Sequence, residues 1–320
     1  MKILIGEGAY GKIYKIANKT PIFIEKHIKL INCGTLTEIA FYKKYCSDKT
    51  KIPEWFPILY NIYHKKKSSS IFIVIEMSYE GNTLDIVSKE LVYVERIAHL
   101  PEMIKQFGLI LKWLKSKNLI HMDIKPNNVC WGNNPMRPNL KLIDFGFVIP
   151  VLDTERHNVG TYNFADSSYF NKRIHSPSYD TFSAGLTLFH WLIQLYVSPE
   201  IIKQGDQMLL SYLLVDTLAL HVPLNYLNIL KHMIIADENY RITPEHIISL
   251  STCEICPYVL NETHPVLTGQ LIIDSNKYNK YEETKVYNHI IDCIKYSMCP
   301  YYPQKHVIKF LTKYSYSIVW

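Results

Sequence analysis

Apolar and polar positions alternate along residues 1–80 as they do in short strands separated by turns. KILIGEG and GKIYKIAN flank a glycine turn, and PIFIEKHI alternates with the period of a strand. FPILYNIY and SIFIVIEM predict two more strands around HKKKSSS, a polar run typical of a solvated hairpin turn. One helix interrupts the strands, because TLTEIAFYKKY carries Leu36, Ile39, Ala40 and Tyr42 at helical offsets.

The pattern becomes helical from residue 83 onward. PEMIKQFGLILKWLKSKN places Ile104, Phe107, Leu111 and Leu114 on one face, and Asn118 fits a C-terminal stop. Two short apolar strands follow around VCW and LKLIDF, then a loop-rich stretch, then helices to about residue 250. Strands first and helices second predict an α+β arrangement in two lobes.

This change of pattern divides the chain into a strand-rich lobe at 1–77, a helix-rich lobe at 78–250 and an extension at 251–320. The most apolar stretch, TFSAGLTLFHWLIQLYV at 181–197, is interrupted by polar side chains and predicts a buried helix rather than a membrane span. The extension contains the amphipathic segment VYNHIIDCIKYSM. We predict helices packed on the larger lobe, with a docking arm for a partner as the alternative.

The composition tells more about the cellular location of the protein than about its function. Hydrophobic residues make up 48% and charged residues 20% of the 320 residues, which excludes wholesale disorder. A formal charge of +6 permits nucleic acid or a membrane surface as a partner but does not require either, so neither is predicted. The seven cysteines show no regular framework, and the single CxxC, Cys253 with Cys256, favours structural thiols over zinc. Glycines interrupt the N-terminal apolar run, so no signal peptide is expected. We therefore expect a cytoplasmic location.

The segment IGEGAYGKIY places Gly6, Gly8 and Gly11 in the spacing GxGxxG. Glycines allow a backbone to approach phosphate groups closely and to direct N–H groups at them. A dinucleotide-binding site would need a helix directly after the third glycine, but KIYKIA has the pattern of a strand. A glycine hairpin between two strands is typical of a loop that covers a nucleotide.

Lys26 stands at the end of the strand IFIEK, on the same predicted face as Ile22 and Ile24. Glu38 is the only acid in the stretch that follows, and a lysine that holds phosphates needs a carboxylate to fix its position. Lys29 is a rival, and strand alternation favours Lys26.

Two acidic segments complete the candidate chemistry. In LIHMDIKPNNVCW, Asp123 could accept a hydroxyl proton, Lys125 could neutralise a transferred phosphoryl group, and Asn128 could bind magnesium. His121 is better explained as a packed core histidine. In LIDFGF, Asp144 follows an apolar strand and could bind a magnesium ion that bridges phosphates.

The order of these motifs resembles that of the eukaryotic-type protein kinases over residues 3–250. The resemblance implies a bilobal kinase-like fold with Mg²⁺ and ATP bound between the lobes. Lys26, steadied by Glu38, would hold the α- and β-phosphates, while Asn128 and Asp144 would hold the metal. Lys125, two residues after the acid, is the form that serine/threonine kinases carry.

The same resemblance implies further sites. Asp180 in YDTFSAG would support the catalytic loop, and Arg241 in ADENYRIT would be the structural arginine of the family. Residues expected near the nucleotide, including the hinge at 75–77, are Ile13, Ile24, Ile75, Glu76, Met77 and Cys130.

The sequence departs from the kinase pattern at two places. Met122 replaces the arginine that pairs with a phosphorylated loop residue in many kinases, so activity without loop phosphorylation is expected. Alanine at Thr154 or Thr161 should therefore leave basal activity largely intact. VGTYNFADSSYF contains no APE, and the glutamate that normally pairs with the family arginine would fall at Ser168.

The form without APE and the short step from Lys26 to Glu38 resemble the casein kinase 1 and vaccinia-related kinase branch. A chain heavy in Lys, Ile, Asn and Tyr suits a large DNA virus, which implies host cytoplasm or the virion as its location.

The leading hypothesis is a serine/threonine protein kinase that transfers the γ-phosphate of ATP to protein hydroxyl groups. The first alternative is a pseudokinase that acts through protein partners, although Lys26, Asp123 and Asp144 are all present. The second is a small-molecule phosphotransferase of related fold, which the DFG motif, Lys125 and Arg241 disfavour. The sequence indicates neither the substrate nor the oligomeric state.

Overall fold

The computed structural model describes two compact units. The strand unit comprises Met1–Val87 and Pro126–Ile149, and the helical unit comprises Ser88–Lys125 and the described residues from Pro150 onward. The described residues are 1–8, 11–29, 32–48, 50–67, 70–134, 136–151, 160–166, 169, 175–194, 196–197, 222–235 and 237–252. The predicted extension from residue 253 onward, including its CxxC, lies outside these residues.

Five strands form one antiparallel sheet in the strand unit. Their order across the sheet is β1-β2-β3-β5-β4. They are β1 (Lys2–Gly8), β2 (Gly11–Ile16), β3 (Phe23–Ile28), β4 (Leu59–Lys67) and β5 (Ser70–Ser78). The alternation in the sequence predicts all five strands, and the predicted order of strands first and helices second is confirmed.

Helix α1 (Cys33–Tyr45) follows β3 in the strand unit. Asn32 caps its first turn, since the Asn32 side chain accepts a hydrogen bond from the Thr35 N–H at 2.8 Å. The predicted helix is present, but its predicted apolar face is wrong except at Tyr42. Leu36 is 57% exposed, and the buried positions are Thr35, Glu38, Phe41 and Tyr42.

The buried face of α1 differs from the predicted one because the helix packs through an ion pair and aromatic rings, and not through aliphatic residues. The buried face includes the charged Glu38, which apolar periodicity cannot identify. Phe41 stacks on Phe145 with ring centroids 3.8 Å apart and planes 8° apart. Phe56 and Tyr42 pack edge-on against both rings of this stack.

The strand unit also contains the short strands β7 (Val129–Cys130) and β8 (Lys141–Leu142), which pair antiparallel. The 3₁₀ turn Pro126–Asn128 directly precedes β7. This hairpin places the segment after Lys125 beside the strand that leads to Asp144. Both candidate metal-binding side chains therefore belong to one unit.

The other elements are mostly helical. They are α2 (Leu84–Glu90), α3 (Tyr93–Ser116), β6 (Leu119–Ile120), β9 (Ile149–Pro150), α4 (Ser178–Ile193), α5 (Leu224–Met233) and α6 (Pro244–Thr252). Two 3₁₀ turns, Tyr162–Phe164 and Glu238–Tyr240, lie among the loops.

Two helices of the helical unit behave as the sequence predicts. The predicted face of α3 (Ile104, Phe107, Leu111 and Leu114) is buried, and Asn118 adopts a left-handed φ of 53° after the helix ends. Every residue of α4 from Tyr179 to Leu192 is buried, as expected for its apolar composition. Among the described residues, no helix combines the length and the apolarity that crossing a bilayer requires.

Arg96 on α3 joins several elements of the helical unit. Its guanidinium donates to the carbonyl oxygens of Ser88, Leu91 and Leu192 at 2.8 to 3.1 Å, near the C-terminal ends of α2 and α4, where carbonyl groups have no partner within their own helix. Trp191 in turn donates to the Arg96 carbonyl at 3.0 Å. These bonds fix α4, which carries Asp180, against α3.

Candidate active site

Gly6, Gly8 and Gly11 occupy the predicted hairpin of β1 and β2, with Gly8 opposite Gly11 and Gly6 opposite Ile13. A Cβ atom on Gly11 would lie 2.1 Å from the His27 carbonyl oxygen on β3. A Cβ atom on Gly6 would approach nothing closer than the Ile13 side chain, at 3.7 Å. Gly11 is therefore required by the close approach of two strands, whereas a side chain at Gly6 would make only an ordinary contact with Ile13.

Lys26 lies on β3 between Ile13 on β2 and Ile75 on β5. Its Nζ atom is 2.7 and 2.8 Å from the two Glu38 carboxylate oxygens and 3.0 Å from Asp144 Oδ1. The rival Lys29 is exposed and follows the end of the strand, and Ile22 precedes its start. The structure thus pairs Lys26 with the carboxylate that the sequence selects and adds a second carboxylate from Asp144.

The electrostatics of this cluster keep the lysine charged. Burial lowers the pKa of Lys26, but the carboxylates of Asp144 and Glu38 outweigh burial and raise that pKa above its ordinary value. Burial raises the pKa of Glu38 to about 7, although the charge of Lys26 opposes this shift. The ion pair therefore exists in full only when Glu38 has lost its proton.

The raised pKa of Glu38 predicts a pH dependence of nucleotide binding. As pH falls from 8 to 6 through the Glu38 pKa of about 7, Glu38 takes up a proton, Lys26 loses a charged partner, and the KM for ATP should rise. Steady-state KM values at several pH values measure this. Glu38→Gln is the matched control, because ATP titrates equally with both proteins. An equal rise of KM in the variant would contradict the role of Glu38.

Asp144 and Asn128 provide the oxygen donors that magnesium prefers. Asp144 has a left-handed φ of 65°, and its side chain is 41% exposed. The Asn128 carbonyl oxygen accepts a hydrogen bond from the Ile143 N–H at 2.9 Å, which holds the Asn128 turn beside the residue that precedes Asp144. The described residues contain no cluster of three His, Cys, Asp or Glu side chains that could hold a metal alone. Both side chains carry oxygen atoms of the kind that would hold a magnesium ion.

The residues predicted to lie near the nucleotide are on the five-stranded sheet, except Cys130, which is on β7. Ile24 on β3 is opposite Met77 on β5, and Glu25 is opposite Glu76. Ile75 and Met77 are buried. Cys130 is also buried and forms a β-bridge with Thr83 after the end of β5.

Asp123 and Lys125 form a second group of candidate residues, which belongs to the helical unit. Asp123 Oδ2 is 2.9 Å from Lys125 Nζ. The Thr161 hydroxyl donates to Asp123 Oδ1 at 2.6 Å and accepts from Lys125 Nζ at 2.7 Å. One carboxylate oxygen thus faces the lysine and the other faces a hydroxyl. Sequence reasoning did not assign this bridging role to Thr161.

The bridge changes the expectation for Thr161. Thr161→Ala should lower kcat by about 10²-fold, because Asp123 and Lys125 lose the hydroxyl that fixes their geometry. Thr161→Ser should retain most of the activity, since it keeps the hydroxyl. Measurement of kcat for the two variants tests this, and equal activity of Thr161→Ala and the parent would contradict it. Thr154, the other loop threonine, lies outside the described residues.

Asp180 on α4 holds the backbone of the catalytic loop through hydrogen bonds. Its carboxylate accepts hydrogen bonds from the N–H groups of His121 at 2.6 Å and Met122 at 3.0 Å. Met122 has a φ of 69°, which is unusual for a residue with a side chain, and it is buried. His121 is fully buried, as the core interpretation expects. Asp180 therefore stabilises the strained backbone directly before Asp123.

Arg241 pairs with Asp166, and this is a correction to the sequence reasoning, which looked to Ser168. The Arg241 Nη1 atom donates to Asp166 Oδ2, and both side chains are buried. The guanidinium also donates to the Ser178 carbonyl oxygen at 3.2 Å and lies over the Phe182 ring, 4.8 Å from its centroid. The sequence pattern, which aligned the family glutamate with about Ser168, indicated no acid for this arginine, and Asp166 provides one. Ser168 itself is outside the described residues.

The family model of the protein kinase domain matches residues 1–251. The chain belongs to the protein kinase family. The match includes the glycine hairpin, the Lys26–Glu38 pair and the Asp123 loop.

Individual kinases are similar over shorter stretches. A MAP kinase kinase of Saccharomyces cerevisiae is 29% identical over 58% of this chain and 37% of its own length. An Aurora kinase of Debaryomyces hansenii is 24% identical over 63% of this chain and 49% of its own. Calcium-dependent protein kinase 3 of Plasmodium yoelii yoelii is 25% identical over 44% of this chain and 26% of its own. The chain thus spans half or less of the length of these curated relatives.

Proposed function

We propose that this protein kinase is active and transfers the γ-phosphate of ATP to serine or threonine hydroxyls of proteins. The observation that carries the proposal is the bridged group of Asp123, Lys125 and Thr161. A module that only bound nucleotide would have no use for a carboxylate held between a lysine and a hydroxyl. The pseudokinase remains the second candidate, because its nucleotide-binding half would look the same.

Each residue has a role that its surroundings support. Lys26, held by Glu38, binds the α- and β-phosphates, and its raised pKa keeps it positive. Asp144 and Asn128 would hold Mg²⁺, which supplies positive charge to the phosphates. Asp123 accepts the proton of the substrate hydroxyl, and Lys125 stabilises the charge on the transferred group.

Independence from loop phosphorylation is part of the proposal. Met122 is buried and uncharged at the position where a phosphate-binding arginine would stand. The buried Arg241 is already paired with Asp166. A loop phosphate would therefore find no cation at either position. Asp123 is held instead by Thr161 and by the Asp180-supported backbone.

The branch and the source are proposed on sequence features alone. The lack of APE and the short step between Lys26 and Glu38 support the casein kinase 1 and vaccinia-related branch. The composition supports a large DNA virus and action in the host cytoplasm or the virion. A phylogenetic tree of kinase domains that placed the chain elsewhere would remove this part of the proposal.

The experiment combines transfer with binding. Purified protein with Mg²⁺ and labelled ATP should phosphorylate casein or a basic protein on serine or threonine. Phosphoamino-acid identification separates this from tyrosine phosphorylation. Binding of Mg²⁺–ATP without transfer to any protein in a broad substrate set would favour the pseudokinase.

A further inference from the structure

The first turn of α1 rests directly on the loop that carries Asp144. A Cβ atom on Gly34 would lie 3.1 Å from the Gly146 carbonyl oxygen, closer than side chains normally pack. A Cβ atom on Gly146 would lie 3.6 Å from the Gly34 carbonyl oxygen. The two glycines thus meet backbone to backbone, without an intervening side chain.

This contact belongs to a continuous row along α1. Gly34, Glu38 and Phe41 are spaced i, i+4 and i+7, so they lie on one face of the helix. Gly34 meets Gly146, Glu38 meets Asp144 through their shared Lys26, and Phe41 stacks on Phe145. Each of the three consecutive residues of the Asp144–Gly146 segment therefore meets one residue of this row, and Asp144 does so through Lys26.

A glycine in this turn is not explained by helix formation. Glycine is less favourable than alanine inside a helix by roughly 0.5–1 kcal/mol. Asn32 already caps the helix through its side chain, so Gly34 is not needed as a cap. Gly34 also has no left-handed φ that would require glycine. What requires glycine here is the distance to Gly146.

We propose that Gly34 is a positioning residue, whose missing side chain lets α1 dock on Gly146 and hold Glu38 against Lys26. This inference rests on the proposed function and supplies a reason for activity without a loop phosphate. The helix is held in place by the Asp144–Gly146 segment itself, along the row at 34, 38 and 41. A side chain at position 34 would push the first turn of α1 away and loosen the Lys26–Glu38 pair.

The test is a size series at position 34. Gly34→Ala adds one methyl group, and Gly34→Leu adds a larger side chain of comparable helix propensity, beside a pocket that Lys26 and Asp144 also line. We expect Gly34→Leu to lower kcat/KM for ATP by about 10²-fold, as for a displacement near 1 Å, and Gly34→Ala to lower it less. Leu36→Ala is the control, because Leu36 lies in the same turn but is 57% exposed.

Thermal unfolding separates positioning from a loss of structure. If Gly34 matters only to the helix, Gly34→Ala should raise the Tm or leave it unchanged, and both variants should keep the parent activity. Activity that falls with side-chain size while Tm is maintained supports positioning. Parent-like kcat/KM in Gly34→Leu would overturn it.

Failure of the proposed function would have a different signature. If the parent and Leu36→Ala both transfer no phosphate, the kinase proposal fails, and the affinity for Mg²⁺–ATP then tests Gly34 alone. Weaker binding by Gly34→Leu than by the parent supports the docking role of Gly34. Equal binding overturns it.

Discussion

Asp123→Asn is expected to lower kcat by about 10³-fold or more, because the amide cannot accept the proton of the substrate hydroxyl. The amide keeps the shape of the carboxylate and can still contact Lys125 and Thr161, which limits structural damage. The KM for ATP should change little, since Lys26, Glu38 and Asp144 belong to the other unit. Initial rates of phosphate transfer at saturating ATP measure the loss.

Glu90→Gln serves as the matched control, because Glu90 is an exposed acid at the end of α2. It should retain the parent rate. Transfer by Asp123→Asn within tenfold of the parent rate would contradict the role of Asp123 as the base.

Asp166→Ala is expected to lower the free energy of unfolding by about 3–5 kcal/mol, because it leaves the buried Arg241 guanidinium without its carboxylate. Both partners are buried, with Arg241 4% and Asp166 1% exposed, so solvent cannot replace the lost carboxylate. Urea unfolding followed by circular dichroism gives the midpoint and the free energy. Glu90→Gln is again the control and should unfold as the parent does.

Replacing Arg241, the partner of Asp166, checks this prediction independently. Arg241→Ala and the double variant should be destabilised by similar amounts, since either change breaks the same pair. Additive losses in the double variant, with no coupling between Asp166 and Arg241, would show that the pair does not act as a unit.

Much of the fold follows from local pattern. Strand alternation locates all five strands of the sheet, and the apolar composition of 181–197 predicts the buried helix α4. The face of α1 could not be predicted in this way. Its buried stripe includes Glu38, which is stabilised by a lysine on another element, and periodicity detects only apolar burial.

Some residues of the candidate site could likewise be predicted from the sequence, and others could not. Motif order indicates Lys26, Glu38, Asp123 and Asp144, because each belongs to a short recognisable segment. The bridging role of Thr161 and the acid at Asp166 depend on how loop residues meet in space, and counting from the family pattern pointed to Ser168 instead.

The contact of Gly34 with Gly146 is a further case. Gly146 is the glycine of the DFG motif. Gly34 belongs to no motif, and the sequence does not distinguish it from any other residue of the helix. Only the backbone distance between the two segments identifies a role for it.

Phosphate transfer by unphosphorylated protein is the most direct test of a kinase that is active without a loop phosphate. The parent protein would be treated with phosphatase, freed of phosphatase, checked by mass spectrometry for the absence of phosphate, and assayed with Mg²⁺ and labelled ATP from the first seconds. We predict transfer to serine or threonine at the untreated rate with no lag, and none with Asp123→Asn. A rate that starts near that of Asp123→Asn and rises only as the chain becomes phosphorylated would contradict it.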